Sequence, residues 1–131
     1  MGNRAIVVFK NGSEVSPRVY LHWGGSQVPQ VLARWWELME GRRGDESYGA
    51  ARFIGLCHET FSGNMSLGVF SGERELNSCD WNDESPGDAG VFLVDTNTGE
   101  VERFDGSPHE CDAPPTFRCQ DYQEQTQTGE A

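Results

Sequence analysis

Hydrophobic and polar positions along the chain alternate between two periods. Asn3–Phe9 is a β-branched and aromatic run, and Lys10-Asn11-Gly12-Ser13 follows it as a hairpin signal. A second strand is expected after that turn: Val15, then Ser16-Pro17 as an edge or bulge position, then Arg18–Trp23. The period then changes. Val28, Val31, Leu32, Trp35, Trp36 and Met39 recur at helical spacing, with Ser26 as the expected N-cap, Pro29 in the first turn and Gly41 as the stop. Asp45 reads as the N-cap of a second helix whose apolar stripe is Ala50, Phe53, Ile54, Cys57 and Phe61, closed by Gly63. Gly49 and Gly55 inside it each cost about 1 kcal/mol relative to Ala, which points to close packing against a neighbour.

Met65–Phe70 is a further expected strand. Residues 71–89 lack periodicity and read as a long acidic loop. Gly90–Asp95 and Glu100–Phe104 flank Thr96-Asn97-Thr98-Gly99 as a second hairpin, and residues 107–131 read as a mostly irregular acidic and polar tail. The order β-β-α-α-β-β-β shows no strand-helix-strand alternation. It predicts a single α+β domain over residues 1–106: one antiparallel sheet of about five strands with two helices packed on one face.

The 131 residues suffice for one core, and 4 Trp, 7 Phe and 3 Tyr supply its bulk. No stretch has the length of a membrane span, and Ala5–Phe9 is too short for a signal-peptide core. A soluble, cytosolic protein is expected, with Cys57, Cys79, Cys111 and Cys119 as thiols. Cys57-His58 and His109-Glu110-Cys111 with Cys119 lack the close-paired spacing of a zinc site, so no metal or other cofactor is expected.

Charge changes the picture more. The net charge is -11, and Lys10 is the sole lysine. Residues 1–72 hold seven basic and six acidic residues, whereas residues 73–112 hold twelve acids against Arg74 and Arg103, a net of -10. That balance argues against direct binding of nucleic acid or an anionic membrane and allows binding to a basic protein surface. Asp80, Asp83, Glu84, Asp88, Asp95, Glu100, Glu102 and Asp105 are the candidate partner-binding residues, and Glu100 and Glu102 should point to the same side of one strand. Plain solubility accounts for the same charge without any partner.

A second candidate is the segment Tyr20, His22, Trp23, Gly24 and Gly25, where a strand end meets a helix start that can receive an anion, with Arg52 as a possible charge partner. It would serve a small-ligand or nucleotide binder, or a hydrolase. The architectural reading has Trp23 plugging the core and the glycines turning the chain. Nucleophilic catalysis finds little support, since Cys57 and His58 lie about 100° apart on a helix.

Several runs carry a resemblance. Ala5-Ile6-Val7-Val8-Phe9, Ser16-Pro17-x-x-Tyr20-Leu21-His22-Trp23-x-Gly25, Tyr48-Gly49-Ala50-Ala51-Arg52-Phe53, Ser66-Leu67-Gly68-Val69 and Asp88-x-Gly90-Val91 together resemble small uncharacterised proteins of bacterial phages, plasmids and integrated mobile elements. The resemblance spans residues 3–104 and brings no catalytic residue with it. It implies the setting of counter-defence factors, including anti-CRISPR proteins that act as nucleic-acid mimics.

Overall fold

A computed structural model describes residues 3–61, 67–71 and 81–122, with only the backbone of Asp83 and Glu84. The elements run β1 (Ala5–Asn11), β2 (Glu14–Val15), β3 (Arg18–Leu21), α1 (Val28–Leu38), α2 (Glu46–Thr60), β4 (Leu67–Phe70), α3 (Trp81–Glu84), β5 (Gly90–Asp95), β6 (Glu100–Phe104) and β7 (Thr116–Arg118). They form one sheet in the order β4-β3-β1-β5-β6-β7, with β2 paired to the end of β1.

The α+β class holds, and the sheet is mostly antiparallel. Its central pair is not. β1 and β5 run parallel, in register from Ala5 opposite Gly90 to Lys10 opposite Asp95. Both strands are nearly continuous apolar runs, the composition of a strand buried on both faces. β4 runs antiparallel to β3, and β3 antiparallel to β1, so β4 and β5 point the same way. The segment joining them is therefore a crossover of the kind expected to be absent.

Alternation along the strands divides the core between two faces. Val7, Phe9, Val19, Leu21, Phe92, Val94, Val101 and Phe117 turn toward α1 and α2, which cover that side together. Ile6, Val8, Val91 and Leu93 turn the other way and meet Trp81 of α3. The buried Arg18 lies on this second side, its guanidinium 4.7 Å from the Trp81 ring. Part of the acidic 71–89 connection thus supplies a core tryptophan.

Local signals explain most boundaries. The Asp45 carboxylate accepts from Tyr48 N at 3.0 Å and caps α2 as expected. Ser26 does not cap α1. It lies within a 3-10 turn, Gly25–Gln27, and Gln27 is the residue preceding the helix. Gly49 has the anticipated packing role: its carbonyl accepts from Trp35 Nε1 at 2.8 Å, and a Cβ there would stand 3.2 Å from that indole. Gly55 faces open space. Ser16 breaks the strand between β2 and β3, where Ser16 Oγ accepts from Phe9 N at 3.0 Å.

Residues 107–122 are more ordered than their composition implies. β7 pairs with β6, and a 3-10 turn, Cys119–Tyr122, follows it. Cys111, Ala113, Phe117 and Cys119 are buried in the main core. Arg103 holds this segment in place by donating to Ala89 O at 2.8 Å, Ala113 O at 2.5 Å and Ser107 O at 2.9 Å.

Candidate functional site

Two regions carry the expected residues. The first is the sheet surface facing away from α1 and α2, at the end of β1, β5, β6 and β7. Register sets one row as Lys10 beside Asp95, with Glu100 beside Arg118, and a second row as Leu93, Glu102 and Thr116. These side chains line an open concavity of about 400 Å³. Glu100 and Glu102 are exposed on the same side of β6, as alternation requires.

The five candidate carboxylates whose side chains are described do not gather at one corner. Asp80 lies outside the described residues, as do the side chains of Asp83 and Glu84. Asp88 is occupied: its Oδ2 accepts from Arg4 Nε at 2.9 Å and from Arg4 N at 3.0 Å. The Arg4 side chain holds the Asp88 carboxyl below the ordinary carboxylate range. Asp95 uses Oδ1 to accept from Asn97 N at 2.8 Å, fixing the hairpin tip. Asp105 is exposed, and its backbone has a positive φ of 53°. What gathers at this corner is Asp95, Glu100 and Glu102.

Among the described residues, Arg4–Asp88 is the one carboxylate–cation contact. Lys10 and Arg118 neighbour Asp95 and Glu100 without closing on them. Glu102 has Leu93 and Thr116 as its strand neighbours, so it is the least compensated of the three carboxylates. Sequence reasoning missed Lys10 and Arg118 as members of this corner because the first requires the parallel β1–β5 pair and the second requires β7.

The second region is the turn after β3. The Tyr20 hydroxyl and His22 Nδ1 are 3.1 Å apart, and the His22 ring meets the Trp23 ring edge-on at 4.9 Å. His22 is half-buried, and Trp23 is 48% exposed, so Trp23 does not plug the core. Gly24 has φ 86°, and a Cβ there would lie 2.8 Å from Phe61. At Gly25 a Cβ would lie 2.7 Å from Asn3 O. Both glycines are thus explained by close approach of protein groups.

The anion slot imagined at this helix start already has a protein occupant. Ser26 N donates to Asn3 Oδ1, Gly25 N donates to Asn3 O at 2.8 Å, and Asn3 Nδ2 donates to Glu110 Oε1 at 2.7 Å. Asn3 carried no signal in the sequence, since its role depends on a contact 107 positions away. Arg52 is not brought to His22. It donates to Leu38 O at 2.5 Å, at the far end of α1, and precedes Phe61 by nine residues, about 13 Å of helix.

The described cysteines, Cys57, Cys111 and Cys119, are buried free thiols. Burial pushes the Cys57 thiol up to about 12 and raises Cys119 as well. Among the described residues no group of three or more His, Cys, Asp or Glu is placed to hold a metal ion, and no helix is long and apolar enough to cross a membrane. No family model, curated protein or solved structure matches the chain.

Proposed function

We propose that this is a non-enzymatic binding protein of a phage or mobile element. In this reading its acidic sheet corner occupies a basic, nucleic-acid-binding surface on a host protein complex, in the manner of an anti-CRISPR-type inhibitor. The observation that supports it is the placing of Glu100 and Glu102 on one exposed strand face, beside Asp95, with no cation among the described residues closed on any of them. Carboxylates held on a sheet present a fixed charge pattern, which gives specificity and association rate. The wider excess of acid over residues 73–112 adds a long-range field that favours encounter with a basic partner.

Capture from a bacterial lysate at low and then high salt tests the reading. A basic nucleic-acid-binding complex should be retained at low salt and released as screening rises. It should not be retained by the Glu100→Lys/Glu102→Lys protein. Equal retention by that variant would contradict the assignment of the site. The small-ligand reading at His22 is not advanced, because Arg52 is engaged elsewhere and Asn3 fills the helix start.

A further inference from the structure

At the turn between α1 and α2, three guanidiniums converge on two aromatic rings. Arg42 stacks on Tyr48 at 4.1 Å, Arg52 lies 5.7 Å from the same ring, and Arg43 stacks on Trp36 at 3.7 Å. Arg43 Nη2 donates to Trp36 O at 2.9 Å, and Arg52 Nη1 donates to Leu38 O. Among the described residues none of the three closes on a carboxylate, although Glu37, Glu40 and Glu46 are near in sequence. A guanidinium has five N–H donors, so most of each fork is left for another molecule.

Beside these forks, Tyr48 is 42% and Leu38 46% exposed. Stacking limits the rotamers of the arginines before any partner arrives, which reduces the entropic cost of pairing. Arg and Tyr around an apolar anchor form the composition of interface hot spots.

The geometry points to a docking surface for a short protein segment that carries carboxylates next to an apolar side chain. The carboxylates would meet the forks of Arg42 and Arg43, and the apolar group would cover Leu38 and Tyr48. A nucleic-acid backbone is the poorer occupant. Glu37, Glu40, Asp45 and Glu46 offset the arginines locally, and the net charge of -11 repels a polyanion. A compact segment with few carboxylates can meet the forks without running across those acids. The turn that carries Arg42 and Arg43 reaches the same end of the sheet as the Glu100–Glu102 corner, since Gly44 N donates to Thr96 O at 3.1 Å, but the docking surface does not rest on the reading given to that corner.

The test is a titration of the ¹⁵N-labelled full chain with an acetylated Glu-Glu-Leu-Leu-Glu-Glu peptide, its all-Gln analogue and oligo-dT, followed by amide shifts. The acidic peptide should move the amides of Arg42, Arg43, Tyr48 and Arg52, and the Gln analogue should not. Arg42→Gln/Arg43→Gln should weaken the acidic peptide by about tenfold, the loss of two solvent-exposed charge pairs. Both substituted positions are exposed, and an unchanged far-ultraviolet circular dichroism spectrum with retained amide dispersion checks the fold. The proposal is overturned if the Gln analogue or the variant binds equally well, or if oligo-dT moves the same amides. Shifts that follow protein concentration alone would place a second copy there instead and overturn it too.

Discussion

Arg4 and Asp88 are joined twice through one oxygen: Asp88 Oδ2 accepts from Arg4 Nε at 2.9 Å and from Arg4 N at 3.0 Å. Ala89 N donates back to Arg4 O at 2.9 Å, so the end of the crossover is stitched to the start of β1. One carboxylate of the acidic segment is therefore architectural. The carboxyl is held below its ordinary value, so its contribution to stability is present above that value and is lost as pH falls through the lower, folded one. Thermal melts between pH 6 and pH 2 should show a decline on the acid side below about 4 that is shallower in Asp88→Asn, which should also melt lower at neutral pH. Identical acid slopes in the two proteins would contradict this.

The two helix glycines should separate cleanly. Gly55→Ala adds a methyl in open space on the exposed side of α2 and should stabilise the protein by about 0.5–1 kcal/mol. Gly49→Ala presses on Trp35, which is buried and tied to the Gly49 carbonyl, and should destabilise it. Urea unfolding of the two variants measures the difference in sign.

Arg103 organises the segment from Asp105 to Pro115 through three carbonyls, a geometry that a lysine ammonium cannot copy. Arg103→Lys should cost about 2 kcal/mol, as expected for losing hydrogen bonds from a charged donor. Hydrogen exchange should accelerate at Cys111 and at Arg103 N, which donates to Pro115 O. Unaltered exchange there would mean that burial of Cys111 and Phe117 alone holds the segment.

Cys57 gives a prediction at the alkaline end. Its thiol is raised by burial from 9.0 to about 12, so its contribution to stability is complete below 9 and is lost as pH rises toward 12. Folded protein at pH 8 should leave this thiol unalkylated by iodoacetamide, and unfolding in urea should expose it. Alkylation of Cys57 in the native state at the rate of a free peptide thiol would contradict the burial.

Much of this fold is legible in the chain because local rules decide it. The Asn11-Gly12 turn, the Asp45 cap, the stripe from Val28 to Met39 and the second hairpin all appear where the pattern places them. What was not legible depends on partners distant in sequence. The uninterrupted runs Ala5–Phe9 and Val91–Val94 do signal strands buried on both sides, yet nothing local says that they pair with each other in parallel. Trp81 sits in an acidic, aperiodic stretch and is recognisable as core only once the face it covers is known. β7 follows two prolines and is three residues long, below the length at which alternation can be read. At the candidate site the shared direction of Glu100 and Glu102 follows from alternation alone, while the loss of Asp88 to Arg4 requires tertiary structure.

The central claim is that Glu100 and Glu102 place the protein on a nucleic-acid-binding surface. Its most direct test is competition: the complex captured at low salt is loaded with labelled DNA or RNA, and the protein is titrated in. The account predicts displacement of the nucleic acid by the native protein and none by Glu100→Lys/Glu102→Lys, which should keep the same fold because both positions are exposed. A ternary complex in which nucleic acid stays bound, or equal displacement by the variant, would contradict it.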